Sequence, residues 1–167
     1  MKKGKGFLMA EGALALSLVL VVTGSLLRTL PQVAVSLQRL QGRWELQRCR
    51  RDLHTRLEAA LLTSVAQARV LERKHGLELE CYQRWTMAQW TFFVARSSST
   101  QVSTLYKGTW NQDRKQKGVN PLTPPHVVVT GFTVEALPGN RIHWHLGLRH
   151  RQTGQEIALD KVYRYGV

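Results

Sequence analysis

The sequence has few acidic residues, few cysteines and none of the common catalytic motifs. Its 167 residues include 11 Asp and Glu against 24 Lys and Arg, and only two cysteines. It contains no Cys-x-x-Cys pair, no Cys/His cluster, no Walker loop, no Gly-x-Ser-x-Gly elbow and no His-Glu-x-x-His helix. These absences argue against a zinc protein and against an enzyme. We therefore expect no catalytic residue, no metal, no cofactor and no small-molecule substrate.

The excess of positive charge is the main compositional feature. The formal net charge is +13, and Lys2, Lys3 and Lys5 supply three of the positive charges. Such a surplus favours polyanionic surroundings, such as nucleic acid, anionic lipid or cell-wall polymer. A basic surface that only keeps the protein soluble explains the charge equally well.

A long apolar run follows the first lysines. Residues 7–27 contain a single charge, Glu11, and Arg28 closes the run. As a helix, the run is about 30 Å long, which matches the apolar core of a bilayer. Because lysines precede it, the positive-inside rule predicts a cytoplasmic N-terminus and an external C-terminal part.

Two ordinary explanations of this run leave features unexplained. A secretory signal peptide has a shorter apolar region, roughly 7–15 residues, and small residues before its cleavage site. Here the run ends in Leu26, Leu27 and Arg28. A simple signal anchor gives no role to Glu11, although an ionisable group within an apolar span is costly and usually functional.

Residues 5–11, Lys-Gly-Phe-Leu-Met-Ala-Glu, resemble the class III leader of type IV pilins and pseudopilins. The resemblance implies that a prepilin peptidase cleaves between Gly6 and Phe7 and that Phe7 is then N-methylated. Glu11 becomes the fifth residue of the mature chain, where it would pair with the new amine and guide assembly. The chain departs from the usual motif at residues 8–10, which are all apolar.

The remaining sequence predicts a long helix followed by strands. Apolar residues recur at steps of two to four from Leu37 to Ala68, which indicates an amphipathic continuation of the first helix. We expect Pro31 to kink or interrupt this helix and Gly76 to cap its end. The predicted segments are a leader at 1–6, a transmembrane and filament-core helix at 7–28, its amphipathic extension at 29–75, and an extracellular antiparallel β domain at 76–167.

Alternating and β-branched residues mark the strands of that domain. The predicted strands cover 77–82, 90–95, 100–106, 126–137, 141–149 and 156–165, with an irregular segment at 107–125. A long N-terminal helix packed on a C-terminal antiparallel sheet is an α+β fold, and this layout is similar to that of pilins.

The C-terminal half carries a second, looser resemblance. The segments Gly118–Leu122 and Val162–Gly166 are similar to those of ComGF-type minor pseudopilins of competence systems. This resemblance implies a minor pilin-like subunit that helps assemble or initiate the filament used for DNA uptake. Its partners would be the other minor pilins, the major pilin, the prepilin peptidase and the membrane. It would be a single-pass protein of the cell membrane and then part of the pilus at the cell surface. A type II secretion pseudopilin and a membrane-anchored extracellular binding domain remain as alternatives.

Three smaller groups of residues are further candidates. Cys49 and Cys81 are a candidate disulfide, but their spacing leaves bridged and free forms open. His143 and His145 share a predicted strand face, and His150 or His126 would have to complete a metal site. Because no carboxylate or cysteine in the sequence completes a recognisable ligand set, an exposed histidine pair without metal is favoured.

A basic loop provides a candidate contact with DNA or another anionic polymer. Arg114, Lys115 and Lys117 lie close in sequence to Trp110, and such a mixture suits phosphates and bases. A solvated loop is the favoured explanation, since the sequence has no recognisable nucleic-acid-binding fold. Any contact with DNA is therefore expected to be weak and indirect.

Overall fold

The structure, a computed structural model, describes residues 4–73, 76–83, 88–97, 101–111 and 116–166. These residues form one helix followed by eight strands. The elements are α1 (Gly4–Ser64), β1 (Val65–Arg73), β2 (Gly76–Gln83), β3 (Ala88–Arg96), β4 (Ser103–Asn111), β5 (Gln116–Pro121), β6 (Val127–Leu137), β7 (Arg141–His150) and β8 (Glu156–Arg164).

The chain divides into two compact units, Met1–Leu40 and Gln41–Val167. In the first unit, the described residues all belong to α1. The second unit contains the remainder of α1 and all the strands.

The strands form two antiparallel sheets, and within each sheet the strands that are consecutive in the sequence pair with each other. The first sheet has five strands in the order β1-β2-β3-β4-β5, and the second has three in the order β6-β7-β8. A turn at 138–140 joins β6 to β7, and Gly139 and Asn140 adopt positive φ angles of 76° and 54° there. The left-handed conformation suits these two residue types, which explains the tight hairpin.

One hydrophobic core joins the second half of α1 to both sheets. The helix contributes residues spaced three or four apart, which places them on one face: Leu46, Cys49, Leu53, Leu57 and Leu61. Strand β7 contributes alternate residues, among them the fully buried Trp144. The Trp144 ring lies 5.7 Å from Phe92 of the first sheet and 4.9 Å from Phe132 of the second, measured between centroids. The predicted α+β fold, a long N-terminal helix packed on antiparallel strands, is confirmed.

The predicted helical segment at 29–75 is too long at its C-terminal end. The helix ends at Ser64, and Val65–Arg73 forms β1, which pairs with β2. Val65 and Ala68 fit a helical period as well as a strand, and pairing with β2 decides between the two. Gly76, with φ of 119°, therefore begins β2 and does not cap a helix. Pro31 lies inside α1, so it does not interrupt the helix.

Two further features differ from the sequence-based expectation. The segment at 107–125, expected to be irregular, contains the second half of β4 and the whole of β5. The strands were not predicted because the segment is rich in glycine and proline, which are uncommon within strands. In the structure, Gly118 pairs with Thr109 and Pro121 pairs with Tyr106 at the edge of the sheet. The strands of the C-terminal β domain, which were expected to form one antiparallel sheet, form two.

Candidate functional site

The first half of α1 is an exposed apolar surface. Every side chain from Met9 to Leu40 is exposed in the isolated chain. An 18-residue window of the helix has a mean hydropathy of 1.9, and none of it is buried. Among the described residues, α1 is the one helix long and apolar enough to cross a membrane. Such a surface needs a lipid or protein environment, because exposed apolar area is unfavourable in water.

The hydroxyl groups of this half bind the helix backbone. Ser17 donates to the carbonyl of Leu14 at 2.8 Å, and Thr23 donates to that of Val19 at 2.6 Å. Further bonds of this kind join Ser25 to Val21, Thr29 to Ser25, and Ser36 to Gln32. Because these hydroxyls are already bonded, they add little to the cost of placing the helix in an apolar phase.

Glu11 is the only carboxylate side chain in residues 4–40, and it is exposed. Gly6 and Phe7 also belong to α1, although the side chain of Phe7 lies outside the described residues. All three sequence-predicted processing and assembly residues therefore lie on one continuous helix. A lone carboxylate on an otherwise apolar surface requires a partner of opposite charge when that surface is buried.

A polar cluster that was not predicted from the sequence joins α1 to the second sheet. Nε2 of His150 lies 3.0 Å from a Glu45 carboxylate oxygen, and Nε2 of His126 lies 3.5 Å from the same oxygen. The Thr153 backbone amide donates to Nδ1 of His150 at 3.3 Å. The proton of a neutral His150 ring is therefore on Nε2, where it is donated to Glu45. A hydrogen bond from Gln41 is the largest cause of the lowered pKa of Glu45, and the bond to His150 is the next.

His143 and His145 point to a common carboxylate on β8. Nε2 of His143 lies 2.8 Å from one oxygen of Asp160, and Nδ1 of His145 lies 2.9 Å from the other. The bond to Asp160 raises the pKa of His143, and the bonds to His143 and then His145 lower that of Asp160. His150 and His126 contact Glu45 instead, so they do not join this pair. Within the described ranges, no group of three or more His, Cys, Asp or Glu side chains is arranged to hold a metal.

The two cysteines are free thiols in the hydrophobic core. Burial raises the pKa of Cys49 to about 11 and that of Cys81 to about 12. Both thiols are therefore almost wholly protonated at neutral pH, which makes them poor nucleophiles.

Burial also lowers the pKa of Lys107, whose Nζ lies 3.4 Å from the centroid of Trp90 on the core side of the first sheet.

The predicted DNA-contacting residues are only partly described. Trp110 and Lys117 are direct cross-strand neighbours on β4 and β5, and Lys117 Nζ lies 5.4 Å from the indole centroid. Arg114 and Lys115 lie outside the described residues. The cation and the aromatic ring expected to act together are thus neighbours on the five-stranded sheet.

No protein-family model, curated protein or solved structure matches this chain. The fold and the apolar helix define a general class: an α+β protein with one N-terminal helix suited to a membrane. The resemblance to pilins therefore rests on the residues quoted above.

Proposed function

We propose that this protein is a minor pilin-like subunit of a competence type IV pilus, where it helps assemble or initiate the filament used for DNA uptake. The observation that carries the proposal is the exposed apolar half of α1 with its single carboxylate, Glu11. A membrane holds this surface before assembly, and the apolar helices of other subunits cover it afterwards.

In this proposal, cleavage after Gly6 creates an amine at Phe7, four residues before Glu11. The amine of one subunit, or of its neighbour, neutralises the carboxylate within the helix bundle. Because an unpaired buried charge is strongly unfavourable, this pairing fixes how far adjacent helices are displaced along each other. The second half of α1 and the sheets remain outside the membrane.

The mature N-terminus tests the proposal directly. Mass spectrometry of the protein from cells with an active prepilin peptidase should find a chain that begins with N-methylated Phe7. The same cells without the peptidase should retain residues 1–6. A chain that still begins at Met1 in the presence of the peptidase, or one cut beyond Leu27, would contradict the proposal.

The role of Glu11 requires a separate experiment. Glu11→Gln keeps the size of the side chain but removes its charge, so we expect filament assembly and transformation to fall while membrane insertion is retained. Ser17→Ala is the matched control, since it alters an exposed polar residue of the same helix half. If the protein is instead a secretion pseudopilin, the same substitution should impair assembly, and secretion should be lost while transformation is unaffected. Normal function with Gln at residue 11 would favour a simple membrane anchor.

A further inference from the structure

The outer face of the five-stranded sheet carries aromatic side chains that are not part of the core. Alternate strand residues point to opposite faces. The inward residues of β2 and β3 include Leu79, Cys81 and Phe92, which are fully buried. Their neighbours on the other face include a group that we call the aromatic face: Tyr82, Gln89, Phe93, Tyr106, Trp110 and Lys117. All six are at least partly exposed, and the four aromatic residues lie outside the core cluster.

Four of these residues form a row across four strands. In the register of the sheet, Tyr82 is opposite Gln89, Gln89 is opposite Trp110, and Trp110 is opposite Lys117. Cations flank both rings of the row, with Arg69 5.9 Å from the centroid of Tyr82 and Lys117 5.4 Å from that of Trp110. The row therefore combines two ring faces, an amide and positive charge, with no carboxylate among its members.

A second aromatic pair extends this surface along the strands. Phe93 and Tyr106 stack with centroids 5.7 Å apart and an interplanar angle of 22°. Tyr106 and Trp110 are four residues apart on β4, which corresponds to about 13 Å. Gly108 lies between them, where an added Cβ would be 2.8 Å from the Thr91 hydroxyl oxygen. Because Gly108 has no side chain, no group projects from β4 between the rings of Tyr106 and Trp110.

Two carboxylates on the same side of the sheet, Glu78 and Glu80, already have partners. Arg73 lies 2.9 Å from Glu78 and 2.9 Å from Glu80, and the Tyr82 hydroxyl donates to Glu80 at 3.2 Å. Arg73 thus balances one of the two negative charges. Arg69, which is opposite Glu80 in the register of the sheet, offsets the other, so the positive charge of Lys117 is left over. The whole chain has a formal net charge of +13.

We propose that the aromatic face binds single-stranded nucleic acid. Exposed bases stack on flat aromatic side chains, and nearby cations meet the phosphates. A duplex hides the faces of its bases, and a polyphosphate has none, so neither uses the aromatic residues. Geometry and charge favour a single strand, while the choice of DNA over RNA rests on the proposed function.

Binding is measured with the full chain in nanodiscs of zwitterionic lipid, which do not attract the probe. The probe is fluorescein-labelled oligodeoxythymidylate of about 16 nucleotides, followed by fluorescence anisotropy between about 50 and 200 mM salt. We expect Trp110→Ala and Tyr106→Ala each to weaken binding by about tenfold. Lys117→Gln should reduce the slope of log affinity against log salt by about 0.7, the value for one phosphate contact to a single strand.

Trp44→Ala is the matched control. Trp44 is also an exposed tryptophan with an arginine nearby, Arg48 at 5.6 Å, but it belongs to α1. Circular dichroism verifies that each variant remains folded, and Lys117→Gln, at an exposed side chain, tests the face without removing a ring. Absence of binding overturns the proposal. So does equal binding of a duplex or of polyphosphate, or an affinity that Trp110→Ala and Tyr106→Ala leave unchanged. Because the assay needs no filament, its result is independent of the experiments on Phe7 and Glu11.

Discussion

His150 and Glu45 are 105 residues apart in the chain, and their side chains meet at 3.0 Å where α1 lies against the end of β7. His150 is only 3% exposed, so its end of this contact is shielded from water, while the Glu45 side chain is 25% exposed. A hydrogen bond between a histidine and a carboxylate in such a place fixes the position of a helix on a sheet more specifically than apolar packing does.

We expect Glu45→Ala to destabilise the folded protein by about 1–3 kcal/mol, because it leaves buried His150 without an acceptor. Glu58→Ala is the matched control: the exposed carboxylate of Glu58 lies 3.7 Å from His54, and such exposed pairs contribute about 0–1 kcal/mol. Urea denaturation of the full chain in detergent micelles measures both. Equal decreases in the free energy of unfolding for the two variants would show that the Glu45 contact stabilises the protein no more than an exposed pair does.

The hydrogen bonds that Glu45 accepts, first from Gln41 and then from His150, predict a loss of stability in acid. The folded-state pKa of Glu45 is lowered from its ordinary value of 4.5. Its contribution is therefore fully present above that value and is lost as the pH falls through the lower, folded-state pKa. Unfolding midpoints measured from neutral pH down to about pH 3 should fall less steeply for Glu45→Gln than for the unchanged chain. Parallel curves would contradict the prediction.

A side chain at residue 42 should destabilise the protein by crowding, because Gly42 lies on the side of α1 that contacts His150 and Thr153. A Cβ at this position would lie 2.7 Å from Oγ1 of Thr153 and 3.0 Å from Nδ1 of His150. Alanine favours a helix over glycine by about 1 kcal/mol, but overpacking costs about 1–3 kcal/mol. We expect Gly42→Ala to be destabilising in a denaturation experiment. Gly24→Ala, at a helical site with open space, should not be, and Thr153→Ala should partly rescue the Gly42 variant.

The exposed contact between His143 and Asp160 gives a prediction for titration. The pKa of His143 is raised from 6.5 and that of Asp160 is lowered from 3.8, so the charged pair is favoured between these values. The His143 contribution is lost as the pH rises through its folded-state pKa, and that of Asp160 as the pH falls through its own. NMR titration should find His143 titrating above 6.5. Asp160→Asn should return it toward that value, whereas an unchanged midpoint would count against the contact.

The cysteines give a chemical test of the core and of the candidate disulfide. With pKa values of about 11 and 12, Cys49 and Cys81 should react slowly with iodoacetamide in the folded chain at neutral pH. After unfolding without a reductant, two alkylations per chain are expected. Rapid labelling of the folded protein would contradict the burial. Labelling that appears only after reduction would show that the chain carries the bridge.

The sequence allowed most of the fold to be predicted, because local patterns decide most of it. The spacing of Leu46, Leu53 and Leu57 is typical of a helix packed on one side, and the alternation from Ile142 to Leu148 is typical of a strand with one buried face. The end of α1 was misplaced because Val65 and Ala68 fit both periods. The division into two sheets depends on which strands pair, and no local pattern encodes that pairing.

The candidate sites were less predictable for a similar reason. Glu11 and Phe7 are close in sequence, so their resemblance to a leader could be recognised. Glu45 and His150 become neighbours only in the folded chain, and the carboxylate that joins His143 to His145 comes from another strand. The sequence did not indicate Asp160 as the common partner of the two rings, because it lies on β8, the neighbouring strand.

The pairing of consecutive strands within each sheet has a consequence for the order of folding. Hairpins close short loops, whereas the contact between His54 and Tyr163 spans 109 residues. Closing a long loop carries a larger entropy cost, so we expect the hairpins to form early and α1 to dock last. Substitutions where α1 meets β7 and β8 would then accelerate unfolding while leaving the rate of refolding almost unchanged.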